Sequence, residues 1–268
     1  VEISRQLTDA VRPLWTKGPV ELAMRYGEPS IETSLRKLAA QGITRVTFAP
    51  LYPQFADSTT TTALIEAQRV IAAYKLPIKL SVLQPFFAQP EYLDALAESA
   101  RPYLEQGFDH LLLSYHGLPE RHLHKVDPTG QHCLKSADCC QRAEGKVLES
   151  CYRAQCYSVS EGFAVRAGLR PEQWSVAFQS RLGRAKWIEP YTEARLAELA
   201  AQGVKKLLVM CPAFVADCIE TPEEIGIRGR EQFIAAGGED LQLVPCLTTH
   251  PQSVPALAKI CARAPDAV

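Results

Sequence analysis

Five cysteines lie close together in the stretch HCLKSADCCQRAEGKVLESCYRAQC, which spans residues 132–156. Their spacing differs from the paired C-x-x-C hooks of a zinc ribbon. Four thiolates are enough to hold a tetrahedral zinc ion or an iron–sulfur cluster, whereas five free thiols this close would be prone to oxidation. The segment therefore indicates a metal centre. Its cysteines are Cys133, Cys139, Cys140, Cys151 and Cys156.

The other four cysteines, Cys211, Cys218, Cys246 and Cys261, lie in or beside apolar strand-like or helical segments. We expect them to be small core residues. The total of nine is odd, and the first residues, VEISRQLTDAVRPLW, show no secretory signal pattern. A disulfide framework is therefore disfavoured, and we expect the protein to work in a reducing cytoplasm.

One histidine of the stretch FDHLLLSYHGLPERH, His116, directly follows an apolar, strand-like run. His116 comes at the end of this run, and Gly117 behind it allows the backbone to turn and a ligand to come close. The imidazole could act as a base near neutral pH or as a neutral metal ligand. A histidine that is merely hydrogen-bonded in a turn is an equally good interpretation of the position alone.

A carboxylate occupies a comparable place in DCIETPEE. Thr221 and Pro222 predict a helix start, where Glu223 and Glu224 would complement the helix dipole. Glu220 precedes the predicted cap, and that role does not explain it. An imidazole and a carboxylate that converge would form either an acid–base pair or a two-ligand site for a divalent metal.

The elements that must position these side chains follow an alternating order. Short β-branched apolar runs alternate with segments such as SIETSLRKLAAQ and YTEARLAELAAQ, whose Leu and Ala residues recur at the helix period. This order predicts parallel sheets covered by helices, with ligands gathering beyond the carboxyl ends of the strands. Seven strands are predicted, over residues 19–26, 43–52, 78–86, 108–115, 174–180, 204–211 and 241–247.

An internal repeat relates residues 29–61 to residues 189–221, with AAQG recurring in both. The chain therefore resembles a duplicated α/β unit. The second copy has an additional strand before it that the first copy lacks, so we expect a strand of the complete domain to precede residue 1. The predicted organisation is an incomplete half-domain over 1–88, a second half-domain over 89–247 with a Cys-rich insertion at 127–157, and a C-terminal helix over 248–268.

The overall composition excludes several classes of partner. The chain has 268 residues, 47% of them hydrophobic, which is enough for a large core. Its net charge of −1 provides no basic field for nucleic acid. Because no run of about 18 apolar residues occurs, the sequence predicts no membrane-spanning helix.

Several motifs, in order, resemble the ferrochelatases, which insert ferrous iron into a porphyrin at the last step of haem synthesis. They are RYGEPSIE, PLYPQFADSTT, SYHGLPERH, FQSRLGRAKWIEPYT and CIETPEEI, and the resemblance runs from about residue 19 to 250. It implies two Rossmann-like half-domains with the porphyrin between them, His116 as the family's reactive histidine and Glu220 as its partner carboxylate. Family members also carry an N-terminal strand and loop that form one wall of the porphyrin pocket, and this chain does not contain them.

A porphyrin is a flat apolar ring with carboxylates at its edge, so its cleft needs apolar walls and a few polar groups. The favoured porphyrin contacts are Tyr52 and Leu118 for the walls and Ser58 and Thr59 for the carboxylates. Further candidates for the walls are Phe55, Phe86, Phe87 and Phe214, and for the propionates Arg121 and Arg181. For any one of the aromatic residues, a place in the core is the more common role.

The resemblance also bears on the cysteines, because some ferrochelatases hold a two-iron, two-sulfur cluster through an internal segment of this kind. The favoured ligands are Cys133, Cys151, Cys156 and one of the adjacent pair, with Cys140 preferred and Cys139 as the alternative. Structural zinc is the second interpretation of the segment.

Substrates, partners and rival functions follow from the same resemblance. The expected substrates are ferrous iron and either protoporphyrin IX or coproporphyrin III, and peripheral association with a membrane is a further expectation. A chelatase for cobalt or nickel would share the fold. A non-catalytic porphyrin carrier or an iron–sulfur sensor is the alternative of a different class.

Overall fold

The computed structural model describes residues 1–265, and within them it contains helices and short parallel strands in alternating order. The helices are α1 (Glu2–Val11), α2 (Ile31–Ala40), α3 (Thr62–Ala73), α4 (Pro90–Leu104), α5 (Glu120–Val126), α6 (Gly145–Ser150), α7 (Tyr152–Arg166), α8 (Thr192–Ala201), α9 (Arg230–Ala235) and α10 (Ser253–Ala262). The strands are β1 (Arg45–Phe48), β2 (Lys79–Val82), β3 (His110–His116), β4 (Trp174–Gln179), β5 (Lys206–Met210) and β6 (Asp240–Leu243). Asp57–Thr61 and Pro222–Gly229 form π-helical turns, and Arg12–Leu14 and Pro171–Gln173 form 3-10 turns.

The strands form two separate parallel sheets. Strands β1 and β2 pair with each other, and the larger sheet has the order β4-β3-β5-β6. The expected α/β fold with parallel sheets is confirmed. Strand β3 lies between β4 and β5, and Leu111, Leu112 and Leu113 are fully buried there, as expected of a parallel strand covered on both faces.

The repeat is visible in the positions of the elements. Helix α2 and strand β1 occupy residues 31–40 and 45–48, and α8 and β5 occupy 192–201 and 206–210, so the two pairs start at the same offset along the chain. A π-helical turn follows each strand of the repeat. The loops after β1 and β5 are therefore structural equivalents.

The predicted strand over residues 19–26 is wrong. The segment makes a single isolated bridge, between Met24 and Ser30, and the Met24 N–H donates to the Pro29 carbonyl. The Ser34 hydroxyl donates to the Leu22 carbonyl from helix α2. Because the segment bonds to its own following turn and helix, its apolar pattern does not produce a strand. The other six predicted strands are present, most of them shorter than predicted.

Both ends of the described chain pack together. Helix α1 contacts α10, and Leu7 and Val11 of α1 join the core cluster that includes Leu257 and Ile260. Helix α10, Ser253–Ala262, lies within the segment 248–268 for which a C-terminal helix is predicted, and residues 266–268 of that segment lie outside the described part of the chain. Within residues 1–265, no helix combines the length and apolar character needed to cross a bilayer.

Gly117 marks the point where β3 and β4 end side by side. Its N–H donates to the Gln179 carbonyl at 2.8 Å, which extends the β3–β4 pairing by one bond. A Cβ at Gly117 would lie 2.9 Å from that carbonyl oxygen and 3.2 Å from the Trp187 ring. Only glycine allows the two strand ends to approach this closely.

We predict that Gly117→Ala lowers the free energy of unfolding by about 1–3 kcal/mol, because the new methyl group must push the end of β4 away. Urea denaturation measures the change. Gly226→Ala is the matched control, since its Cβ would meet Leu243 at an ordinary 3.5 Å. Equal stability of the two variants would contradict the close approach at Gly117.

Candidate functional site

His116 is the last residue of β3, at the carboxyl edge of the larger sheet, where it pairs with Gln179 of β4. Its Nδ1 lies 2.6 Å from the Gly117 carbonyl oxygen. A carbonyl can only accept, so Nδ1 carries the proton and donates it to this bond, and the neutral ring keeps its lone pair on Nε2. The half-buried imidazole is therefore held in the tautomer that can accept a proton or bind a metal through Nε2.

Aromatic and main-chain groups fix the surroundings of His116. The rings of Trp187 and Phe214 each have their centroid 6.4 Å from that of the imidazole. The Tyr152 hydroxyl, on helix α7, donates to the His116 carbonyl at 2.8 Å. The imidazole thus lies near apolar rings. Its main chain is held by Tyr152 on α7 and by Gln179 on β4.

Glu220 lies in the loop that follows β5, as expected. Its main-chain carbonyl accepts from Gln179 Nε2 at 2.6 Å, and its half-buried carboxylate lies near the Cys218 thiol. Burial and this carboxylate together raise the pKa of Cys218 to about 12. At neutral pH the thiol is therefore protonated and can donate to Glu220.

Gln179 joins the loops of the two candidate residues, and the sequence analysis missed it. Its main chain binds the His116 and Gly117 turn, while its side-chain amide donates to the Glu220 carbonyl. The amide oxygen accepts from the Ser114 hydroxyl at 2.7 Å. A glutamine at the end of the apolar run WSVAFQ was the available signal, because a buried polar side chain needs partners. The structure thus brings the two loops together through a buried residue that neither loop contains.

The segment after Glu220 differs from the predicted capped helix. Thr221 is fully buried, and its hydroxyl donates to Asp217 and to the Cys218 carbonyl instead of capping a first turn. Glu224, expected only to complement a dipole, accepts from the Ser180 N–H at 2.7 Å and from its hydroxyl at 2.6 Å. Glu224 therefore holds Ser180, within the FQSRLG stretch and directly after β4. Its role is the second that the sequence did not predict.

The candidate porphyrin residues of the first repeat lie in the loop over residues 49–61, which we call the β1 loop. Tyr52, Phe55 and Thr59 are half-buried there and Ser58 is exposed. Burial raises the pKa of Tyr52. The Phe55 N–H donates to Gln155 Oε1 on helix α7 at 2.6 Å. The loop is thus attached to the second half of the chain.

The remaining porphyrin candidates differ in how deeply they are buried. Phe86 is 2% exposed and packs edge-on against Tyr92, with 5.4 Å between the ring centroids, so it belongs to the core and not to an open wall. Phe87, Leu118 and Phe214 are half-buried. Both arginines are exposed: Arg121 lies on α5, and Arg181 has its guanidinium 4.6 Å from the centroid of the Tyr191 ring.

All five clustered cysteines are buried. Cys133 and Cys140 neighbour Cys151, and this proximity lowers the pKa of Cys151 and raises the pKa values of its two neighbours. Cys139 lies close enough to interact electrostatically with Cys133 and Cys140, and Cys156 with Cys151. Sulfur atoms thus converge on Cys151.

The Cys-rich segment is ordered by local bonds. Asp127 accepts from the N–H groups of Thr129, His132 and Cys133, and these bonds lower the pKa of its carboxyl group. Arg153 donates to the Cys140 sulfur at 3.2 Å. Nevertheless, residues 1–265 contain no group of three or more His, Cys, Asp or Glu side chains in an arrangement that could hold a metal ion as they stand.

The four other cysteines only partly match the prediction of core residues. Cys211 is buried, and Cys261 is half-buried against the core cluster. Cys218 and Cys246 are half-buried beside carboxylates, Cys218 next to Glu220 and Cys246 next to Asp217. Their acidic neighbours, invisible in a local apolar pattern, distinguish these two from core cysteines.

Solved structures share the chelatase-type fold. One is SirB from Bacillus subtilis with Fe3+, with a TM-score of 0.65 and 13% identity over 98% of this chain and 88% of that one. Another is CbiX, described as the terminal enzyme of sirohaem biosynthesis in denitrifying bacteria, with a TM-score of 0.57 and 15% identity over 99% of this chain and 92% of that one. At these identities the likeness concerns the fold alone.

Comparison by amino-acid sequence finds proteins that are much more similar to this chain. A ferrochelatase from Stutzerimonas stutzeri (strain A1501) is 74% identical over 100% of this chain and 79% of its own length. A ferrochelatase from Ectopseudomonas mendocina (strain ymp) is 71% identical over 100% of this chain and 78% of its own. The family model named Ferrochelatase matches residues 1–264. This chain therefore belongs to the ferrochelatase family.

Proposed function

We propose that this chain inserts ferrous iron into a porphyrin at the carboxyl edge of its larger sheet, with His116 and Glu220 as the catalytic residues. The observation that carries the proposal is the tie through Gln179, which joins the His116 turn to the Glu220 loop. In parallel sheets this edge is where ligands bind. Membership of the ferrochelatase family supplies the reaction.

The chemistry assigns a task to the imidazole. Insertion replaces two pyrrole protons of the porphyrin by one Fe²⁺, so two protons must leave as iron enters. Nδ1 of His116 already donates to the Gly117 carbonyl, so Nε2 is the atom that accepts a pyrrole proton. The resulting imidazolium keeps its Nδ1 bond and releases the proton to solvent, after which the same Nε2 accepts the second pyrrole proton and releases it in the same way.

The carboxylate has the complementary task. Fe²⁺ is bound by carboxylate and imidazole ligands, and Glu220 supplies one negative charge beside a thiol that is neutral at neutral pH. We assign Glu220 to delivering iron to the ring. Tyr52, Thr59, Leu118 and the exposed Ser58 are the proposed porphyrin contacts.

We predict that His116→Ala and Glu220→Gln each lower kcat for metal insertion by about 100- to 10,000-fold, as expected when a general base or a metal-binding group is lost. Porphyrin binding, followed by the change in porphyrin fluorescence, should stay within a few-fold of wild type. The control is Glu223→Gln, which changes a half-buried carboxylate that pairs with Arg228 in the same segment. Wild-type rates of zinc and iron insertion by either variant would contradict the assignment of that residue as catalytic.

The same assay separates the rival functions. A porphyrin carrier would bind the porphyrin without inserting any metal, and an iron–sulfur sensor would retain its visible absorbance without porphyrin-dependent turnover. A cobalt or nickel chelatase would prefer those ions to Fe²⁺. Parallel titrations with protoporphyrin IX and coproporphyrin III identify the porphyrin.

We further propose that the Cys-rich segment holds a two-iron, two-sulfur cluster, with structural zinc as the alternative. The donor chemistry fits the group, because buried sulfur atoms converge on Cys151, whose pKa is lowered, and Arg153 donates to Cys140. Cys133, Cys140 and Cys151 are the proposed ligands. For the fourth we propose Cys139, which neighbours both Cys133 and Cys140, whereas Cys156, the ligand favoured from sequence, neighbours Cys151 alone of these three.

We predict that Cys139→Ser reduces the visible absorbance and acid-labile sulfide of the purified protein severely, because the cluster loses a ligand. Cys156→Ser is the matched comparison and should retain both signals. The opposite result would return the fourth place to Cys156. Colourless wild-type protein that contains one zinc ion per chain would show that the segment binds zinc and not the cluster.

The half-domain boundaries at residues 88 and 247, the cytoplasmic location and the peripheral membrane association stay predictions from the sequence. Limited proteolysis tests the boundaries. Cell fractionation at low and high salt tests both locations, because peripheral association through charged groups weakens as ionic strength rises.

A further inference from the structure

Gln155, in the first turn of helix α7, has no exposed surface and uses both ends of its side-chain amide. Its oxygen accepts from the Phe55 N–H at 2.6 Å. Its nitrogen donates to the carbonyls of Leu148 and Glu149 at 2.8 and 3.0 Å. One side chain therefore links the β1 loop to the end of helix α6 and to α7.

This link is a buried hydrogen bond between the β1 loop and the Cys-rich side of the molecule, and it adds to the apolar packing of Ala56 in the core cluster that contains the cysteines. A second tie, between Lys125 and Asp57, joins the loop to α5, but the lysine side chain is 71% exposed. Exposed ion pairs restrain a loop weakly, because solvent and salt screen them. A buried N–H without an acceptor, in contrast, is costly and would drive the loop towards water.

Tyr152 lies on the same face of α7 as Gln155, since the two are three residues apart. Its hydroxyl donates to the His116 carbonyl at 2.8 Å. The first turn of α7 thus touches both proposed sides of the porphyrin site, the β1 loop through Gln155 and the histidine turn through Tyr152. The same turn directly follows Cys151.

We infer that Gln155 is a positioning residue for porphyrin binding, which holds the β1 loop so that Tyr52 and Thr59 face the porphyrin opposite His116. The inference rests on the proposed function and adds to it a residue that contacts neither the ring nor the iron. Without the Gln155 oxygen, the loop spends only part of its time in the binding position, and the apparent Kd for porphyrin rises by the inverse of that fraction.

The test uses Gln155→Met, which keeps the size of the side chain and removes both polar atoms. We expect the Kd and KM for porphyrin to rise by about 5- to 100-fold, the range that corresponds to an unsatisfied buried donor. The value of kcat should change by less than about threefold, because bound porphyrin selects the competent loop. Amide hydrogen exchange in peptides that contain Phe55 should become faster.

Gln155→Glu provides the partial rescue: burial favours its protonated form, which keeps an oxygen for the Phe55 N–H and an O–H for the Leu148 carbonyl, so it should recover part of the porphyrin affinity. Ser160→Ala is the matched control on the same helix: its hydroxyl is fully buried and bonds to Tyr115, away from the β1 loop. The control should leave porphyrin affinity unchanged. Iron and sulfide content are measured for every variant, so that loss of the cysteine centre is recognised separately.

The outcomes distinguish this inference from the proposed function. Wild-type protein that neither binds porphyrin nor inserts metal would overturn the proposed function. Active wild type together with a Gln155→Met variant of unchanged KM and unchanged exchange would overturn only the role of Gln155. If Gln155→Met does not fold, Gln155→Asn, whose amide is one methylene too short to reach Phe55, must show the same rise in KM or the inference is wrong.

Discussion

A buried amide between two parallel strands is the constraint on which the site depends. Gln179 is 4% exposed, and its oxygen accepts from Ser114 while its nitrogen donates to the Glu220 carbonyl. The Thr192 hydroxyl lies 2.8 Å from that of Ser114, so the network extends to the start of helix α8. In a low-dielectric interior such a network is strong when complete and costly when broken. The relative position of the His116 and Glu220 loops is therefore set by the core and not by the loops themselves.

The Cys-rich segment is part of the same construction and not a loose insertion. All five cysteines belong to the largest core cluster, and helix α7 packs against α4 and β4. The hydroxyl of Tyr152 and the amide of Gln155 extend from this helix to the two sides of the proposed porphyrin site. Cys151 directly precedes the first turn of α7, so the packing of the cysteines and the position of Tyr152 and Gln155 are physically linked.

The sequence was sufficient for the features that local patterns encode. Apolar runs identified six strands, and a histidine at the end of one and a glutamate in the loop after another identified the loops that the structure joins. Gln179, Gln155 and Glu224 were missed because their roles depend on partners 41, 100 and 44 residues away. Such contacts leave no periodic signal in the chain. The strand predicted over residues 19–26 was wrong because local composition was misleading there. The segment has the composition of a strand but bonds to its own following turn.

The charges at the proposed site favour transfer of iron over its retention. Cys218 has its pKa raised to about 12, so at neutral pH its thiol stays protonated beside Glu220 and adds no second negative charge. A thiolate at this position would bind Fe²⁺ strongly, because soft sulfur ligands compete well for transition metals. A single carboxylate binds the ion more weakly than the four nitrogen atoms of a deprotonated porphyrin. In the proposed mechanism, iron at Glu220 therefore moves to the ring, while Nε2 of His116 stays free to accept the pyrrole protons. The protonated state of Cys218 contributes to that direction.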